Sequence, residues 1–155
     1  MITAPHLHAM VIHFPIALLM TGFLSRLIGV FSKNIFFNKS SFYLLLLGTL
    51  GVIVAYVSGS SAGDGMTDGI LQEPIELHEE AGFMTLWLAV LTSIVSIAFH
   101  TLKYEKTWLK WSSFLFYTVL VISVTRTAYL GGQLVFKHGA GIELALPDFG
   151  DQPKG

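Results

Sequence analysis

The sequence predicts an all-α integral membrane protein, an antiparallel four-helix bundle with both termini on the non-cytoplasmic side. Three observations carry that prediction. Charged residues make up only 12% of the 155 residues and hydrophobic ones 53%, against about 25% charged in a soluble domain. Four apolar stretches are each long enough for the roughly 30 Å hydrocarbon layer, which takes about 20 helical residues. The lysines and arginines gather in alternate connectors.

The first stretch runs from about Met10 to Phe31. A secretory signal opens with a basic segment. Here the first lysine or arginine is Arg26, after most of the apolar run, so the stretch reads as a retained helix. The second runs from about Phe42 to Ala62, the third from about His78 to Thr101, and the fourth from about Trp108 to Lys137. Runs such as LLLLGTLGVIVAYV lack the alternation of a membrane barrel. Open strands would leave backbone groups unpaired in lipid. Short connectors then make one transmembrane domain over residues 1–155, a four-helix bundle. Gly59 and Gly63 form a small-xxx-small pair, and Gly48 and Gly51 thin the second helix. Such residues let helix backbones approach.

Orientation follows from the basic residues in short loops. Lys33 and Lys39, with Arg26 nearby, mark the first loop as cytoplasmic, and Lys103, Lys106 and Lys110 mark the third. The N-terminal tail and the second loop, SAGDGMTDGILQEPIEL, have no lysine or arginine. The C-terminal tail mixes Lys137 and Lys154 with Glu143, Asp148 and Asp151. A net charge of −1 leaves no nucleic-acid footprint. The absence of cysteine excludes disulfides, thiolate metal sites, thioether-attached haem and cysteine nucleophiles.

Topology then sorts the six histidines. His6, His8 and His13 lie at or near the outer end of the first helix, His78 opens the third, and His138 closes the fourth; only His100 is cytoplasmic. Histidines favour interfaces, which accounts for any one of them. Five at one end, from three helices, suit a ligand set, since neutral imidazole is the commonest metal ligand. Haem b in a bundle is held by histidines of facing helices. His78 and Gly82 are four apart and share a face, which Thr85 and Ala89 continue; Gly131 and His138 are seven apart and share another. Two smooth strips below two imidazoles suit a flat macrocycle, and they equally suit tight helix packing. Pro15 cannot donate to the carbonyl of Val11, so the first helix bends or begins beside His13. His6, His8 and Met10 also form a pattern open to copper in a flexible tail.

Arg126 precedes His138 by 12 residues, about 18 Å along a helix. An ionisable residue at that depth is a functional candidate. Its expected partners are a haem propionate or a quinone, with snorkelling to the headgroups as the plain alternative. Gln133 and Tyr129 lie nearby. Glu79 and Glu80 are expected in the first turn of the third helix, where they suit its dipole. The acidic second loop offers a weak docking surface for a basic partner such as a soluble cytochrome. No nucleophile elbow, phosphate loop or zinc-protease helix occurs, so an enzymatic activity is not assigned.

Three segments together carry a family resemblance: His13-Phe14-Pro15-Ile16-Ala17-Leu18, His78 with Ala81 and Gly82, and Gly131-Gly132-Gln133-Leu134-Val135-Phe136-Lys137-His138-Gly139 with Gly141. They resemble the uncharacterised bacterial membrane family called domain of unknown function twenty-two thirty-one, over nearly the whole chain. The resemblance implies a multi-pass protein of the bacterial inner membrane. Some relatives are fused to Rieske or cytochrome c domains, which implies electron transfer for those relatives. What carries over here is His13, His78, His138, Gly82, Gly131 and Gly132.

The leading expectation is a haem b-binding electron-transfer subunit working between quinone and an outer-face carrier, alongside other membrane redox subunits. His13, His78 and His138 form the ligand pool and His8 completes a second pair; Gly82, Gly131 and Gly132 make room for the ring, and Arg126 meets a propionate or quinone. The alternatives are a copper or zinc protein using the outer histidines, and a cofactor-free structural subunit of a larger membrane complex.

Overall fold

The structure, a computed structural model, describes residues 3–32, 34–63, 69–102 and 107–141, without the side chains of Thr107 and Lys110. The basic residues Lys33, Lys103 and Lys106, and the acidic residues Asp64, Asp68, Glu143, Asp148 and Asp151, fall outside the described residues.

The described chain is helical: α1 (Ala4–Val11), α2 (His13–Ser32), α3 (Ile35–Gly63), a 3₁₀ turn (Gly69–Leu71), α4 (Gln72–Thr101) and α5 (Thr107–Phe136). Four helices are long and apolar enough to cross a membrane, the first being Ala4–Ser32, that is α1 and α2 together. The break between these two is the work of Pro15. Ile12 N–H donates to the His8 carbonyl at 3.1 Å and Ile16 N–H to the Ile12 carbonyl at 3.3 Å. The missing rung between them is the one proline cannot supply to Val11.

Three helices begin earlier than the apolar stretches suggest, and each has a local cause. Pro5 stands in the first helical positions of α1, where its fixed φ favours helix and its missing N–H costs nothing. The tail bearing His6 and His8 is therefore helical rather than flexible. Asn34 starts α3 by accepting the Phe36 N–H on its side chain at 2.9 Å, an N-cap arrangement. α4 starts at Gln72, with Glu73 in its first turn. Glu79 and Glu80 thus lie in the second and third turns, not at the helix start, and Glu73 is the residue that suits the dipole.

Packing follows membrane rules, with small residues inside and bulky apolar ones outside. α2 buries Pro15, Leu19, Gly22, Ser25 and Gly29, while Phe14, Leu50, Trp87, Ile94 and Ile122 face outward. A Cβ at Gly48 would stand 2.7 Å from Leu19, one at Gly51 3.1 Å from Pro15 Cβ, and one at Gly22 would meet the Tyr117 hydroxyl. Those hydrogens set how closely α2 approaches α3 and, at Gly22, α5. Side-chain hydroxyls bond across helices: Thr49 with Ser93 at 2.8 Å, and Thr85 with Ser123 at 2.7 Å and Thr127 at 2.9 Å. Each such bond in a membrane is worth about 1 kcal/mol. Leu19, Leu45, Val52, Ala89, Tyr117, Leu120 and Val124 form the core. Toward the α2–α3 turn, Arg26 Nη1 donates to Asn38 Oδ1 at 3.2 Å.

Candidate functional site: a cavity with two glycine-seated histidines

A cavity of about 830 Å³ opens among α1, the start of α2, the end of α3, the start of α4 and the end of α5. Its deep walls are apolar, including Ile16, Leu19, Val52 and Val124, with Thr85 and Thr127 adding hydroxyls. His6, His8, His13, His78 and Glu79 bring its ionisable groups.

Two of those histidines are built in. α1 lies against α3, and the His8 ring rests on Gly59, where a Cβ would stand 3.0 Å from Cε1. Its Nδ1 is 3.0 Å from Ser58 Oγ, and the Ala55 carbonyl faces the ring. α4 lies against α5, and the His78 ring rests on Gly131 in the same manner, with Cε1 again 3.0 Å from a Cβ position. The Thr127 carbonyl faces the His78 ring, but Nδ1, buried, has no partner of hydrogen-bond geometry among the described residues. The two imidazoles face each other across the bundle. Their centroids are 6.3 Å apart and their planes 73° apart.

The sequence-predicted residues therefore divide. His8 and His78 are brought together. His13 lines the cavity but is exposed, as is His6. His138 is half-buried in the turn after α5 and is not among the residues lining the cavity. Gly82 and Gly132 line the cavity with open space above them, Gly82 having only Tyr56 Cδ2 at 3.9 Å from its Cβ position. Gly131 lines the cavity as well and seats an imidazole. Gly59 and Gly63, expected to tighten helix packing, instead receive side chains, those of His8 and Glu79. Arg126 turns away from the cavity. It is exposed in a shallow outer groove with Val121, Ile122, Thr125 and Tyr129, its Nη1 3.9 Å from Met84 Sδ. His100 stacks on Phe42 with centroids 4.6 Å apart, remote from the other histidines in the fold.

Ser58, Ala55 and Thr127 are site residues that the sequence did not single out, and Glu79 was read only as suiting a helix dipole. Ser58 and Gly59 belong to a visible run of small residues, SGSSAG. Their partner lies 50 residues away, on a segment whose helicity hinges on Pro5. The segment after α5 explains the rest of the glycine motif. Gly139 and Gly141 have φ of 66° and 74°, and Ala140 N–H donates to the Leu134 carbonyl at 2.9 Å. A glycine in the left-handed region ends the helix and turns the chain back until Gly141 lies against Pro5.

Among the described residues no group of three or more His, Asp or Glu side chains is arranged to hold a metal ion. The site is instead a pair of facing imidazoles, an arrangement suited to an electrophile that brings its other ligands with it. No curated protein and no solved structure matches the chain. Residues 4–144 match the family described as predicted membrane protein, DUF2231, and the chain belongs to that family.

Proposed function

We propose that this chain is an electron-transfer subunit of the bacterial inner membrane that binds haem b through His8 and His78. Its four spans run antiparallel with both termini outside. The observation that carries this reading is the 6.3 Å separation of the two ring centroids. With a metal–nitrogen bond of about 2.0 Å, His8 and His78 at this separation are the residues that would hold the haem iron. The surrounding space agrees, since about 830 Å³ lies within the ~300–1,000 Å³ of small-molecule and cofactor sites.

The chain's own residues hold and shield. Gly59 and Gly131 let the imidazoles lie flat against α3 and α5. Leu19, Val52 and Val124 keep the deep end dry. Haem b, when bound, supplies a one-electron iron couple, which suits exchange between a quinone and an outer-face carrier. The absence of a three-ligand cluster among the described residues favours haem, with its four pyrrole nitrogens, over the copper or zinc alternative.

The test is a visible spectrum of the purified protein in detergent, oxidised and then dithionite-reduced, after expression with ample haem. A sharp reduced α-band is expected, with pyridine-extractable haem b. H8A and H78A should each lose most of it, while H138A should keep it. A flat wild-type spectrum overturns the reading, and copper or zinc in that colourless protein would establish the metal alternative.

A further inference from the structure

We propose that Ser58 is the positioning residue of this site: it fixes the proton of His8 on Nδ1 and so presents Nε2 as the ligating atom. The inference rests on the reading that His8 and His78 hold a ligand, and it deepens that reading by making the two histidines unequal.

Ser58 Oγ–H donates to the Ala55 carbonyl at 2.9 Å, the usual back-bond of a helical serine. A hydroxyl has one proton, so at its 3.0 Å contact with His8 the oxygen can only accept. The donor is then Nδ1–H. A neutral imidazole carries one N–H, which leaves Nε2 with its lone pair. Gly59, the next residue, lets the ring lie flat against α3. Ser58 and Gly59 together thus fix both the plane and the tautomer of His8. His78 has only the plane: Gly131 seats it, and its Nδ1 has no partner of hydrogen-bond geometry among the described residues. His8 is therefore the ligand whose tautomer is fixed, and His78 the one seated without that fixing bond. Partners that orient a ligating histidine are worth about 10- to 100-fold in affinity.

The experiment begins on the ligand-free protein in micelles with ¹⁵N-labelled histidine. Long-range ¹H–¹⁵N correlations read which ring nitrogen is protonated, and H8Q identifies the resonances of His8. Wild type should show His8 as the Nδ1–H form, S58T should keep it, and S58A should move most of it to Nε2–H. Haem titration should then be about 10- to 100-fold weaker for S58A and close to wild type for S58T. An Nε2–H form in wild type, or an unchanged tautomer in S58A, overturns the proposal. Failure of wild type to take up haem overturns the haem reading instead, and the tautomer measurement still decides the role of Ser58.

Discussion

At position 131 the missing side chain is what lets His78 lie against α5, and its replacement separates two effects that usually travel together. Alanine is favoured over glycine in a helix by up to ~1 kcal/mol. Yet its methyl would stand 3.0 Å from His78 Cε1, closer than comfortable contact. Gly131→Ala should therefore melt no lower than wild type while binding haem about 10-fold more weakly, and Gly131→Val should bind more weakly still. Thermal unfolding followed by circular dichroism, paired with haem titration, checks both; equal affinity in all three proteins would remove the seat from the argument. Arg126→Gln is the matched control. Arg126 lies in the outer groove rather than the cavity, so its haem affinity should be unchanged.

The α1–α2 break is the element on which the site turns. α1 carries His8 to Ser58, and α1 is aimed by Pro15, which removes one rung of the ladder and packs its ring against Gly51. Pro15→Ala restores an N–H for the Val11 carbonyl and so the rung missing between α1 and α2. The expected outcome is a protein that melts as high as wild type or higher but retains less than half its haem, read by pyridine haemochrome against protein. Full retention would mean that α1 is held by its contacts with α3 rather than by the break. The spans themselves were legible in the sequence, because apolar length is a direct consequence of bilayer thickness. Their ends were not. The helices extend past the hydrophobic stretch with Pro5 in the first turn of α1, an Asn34 cap on α3 and Glu73 in the first turn of α4. That extension moved His8 from a tail into a packed helix and moved Glu79 and Glu80 away from a helix start. His78 was singled out as a ligand and Gly131 as room for the haem ring, not as an imidazole and its seat. Contacts between residues 50 apart leave no periodic trace.

For the whole molecule, orientation is the open physical quantity, and the sequence makes it cleanly measurable. The chain has no cysteine, so a single introduced thiol is the only one present. Thr3→Cys and Ala140→Cys should react with a membrane-impermeant maleimide in intact cells. Ser32→Cys and Leu102→Cys should react only after the membrane is opened. The reverse pattern would contradict the lysine distribution on which the topology rests. The fold also divides at the cavity. α1 with α3 supports one imidazole and α4 with α5 the other, so a ligand held by both ties two halves of the bundle together. At a free concentration 100-fold above its dissociation constant such a ligand adds about 2.7 kcal/mol of stability.

Each ring-and-glycine seat also constrains how the chain can change over generations. His8 with Gly59, and His78 with Gly131, are locks in which one member has bulk only because the other has none. A lineage that abandons the imidazole at 8 releases position 59 to any small helix former, whereas one that first enlarges 59 dislodges a histidine still in use. Substitutions at the two positions of each lock are therefore ordered in time, histidine before glycine, and relatives should carry both members or neither far more often than the glycine-less half of a pair.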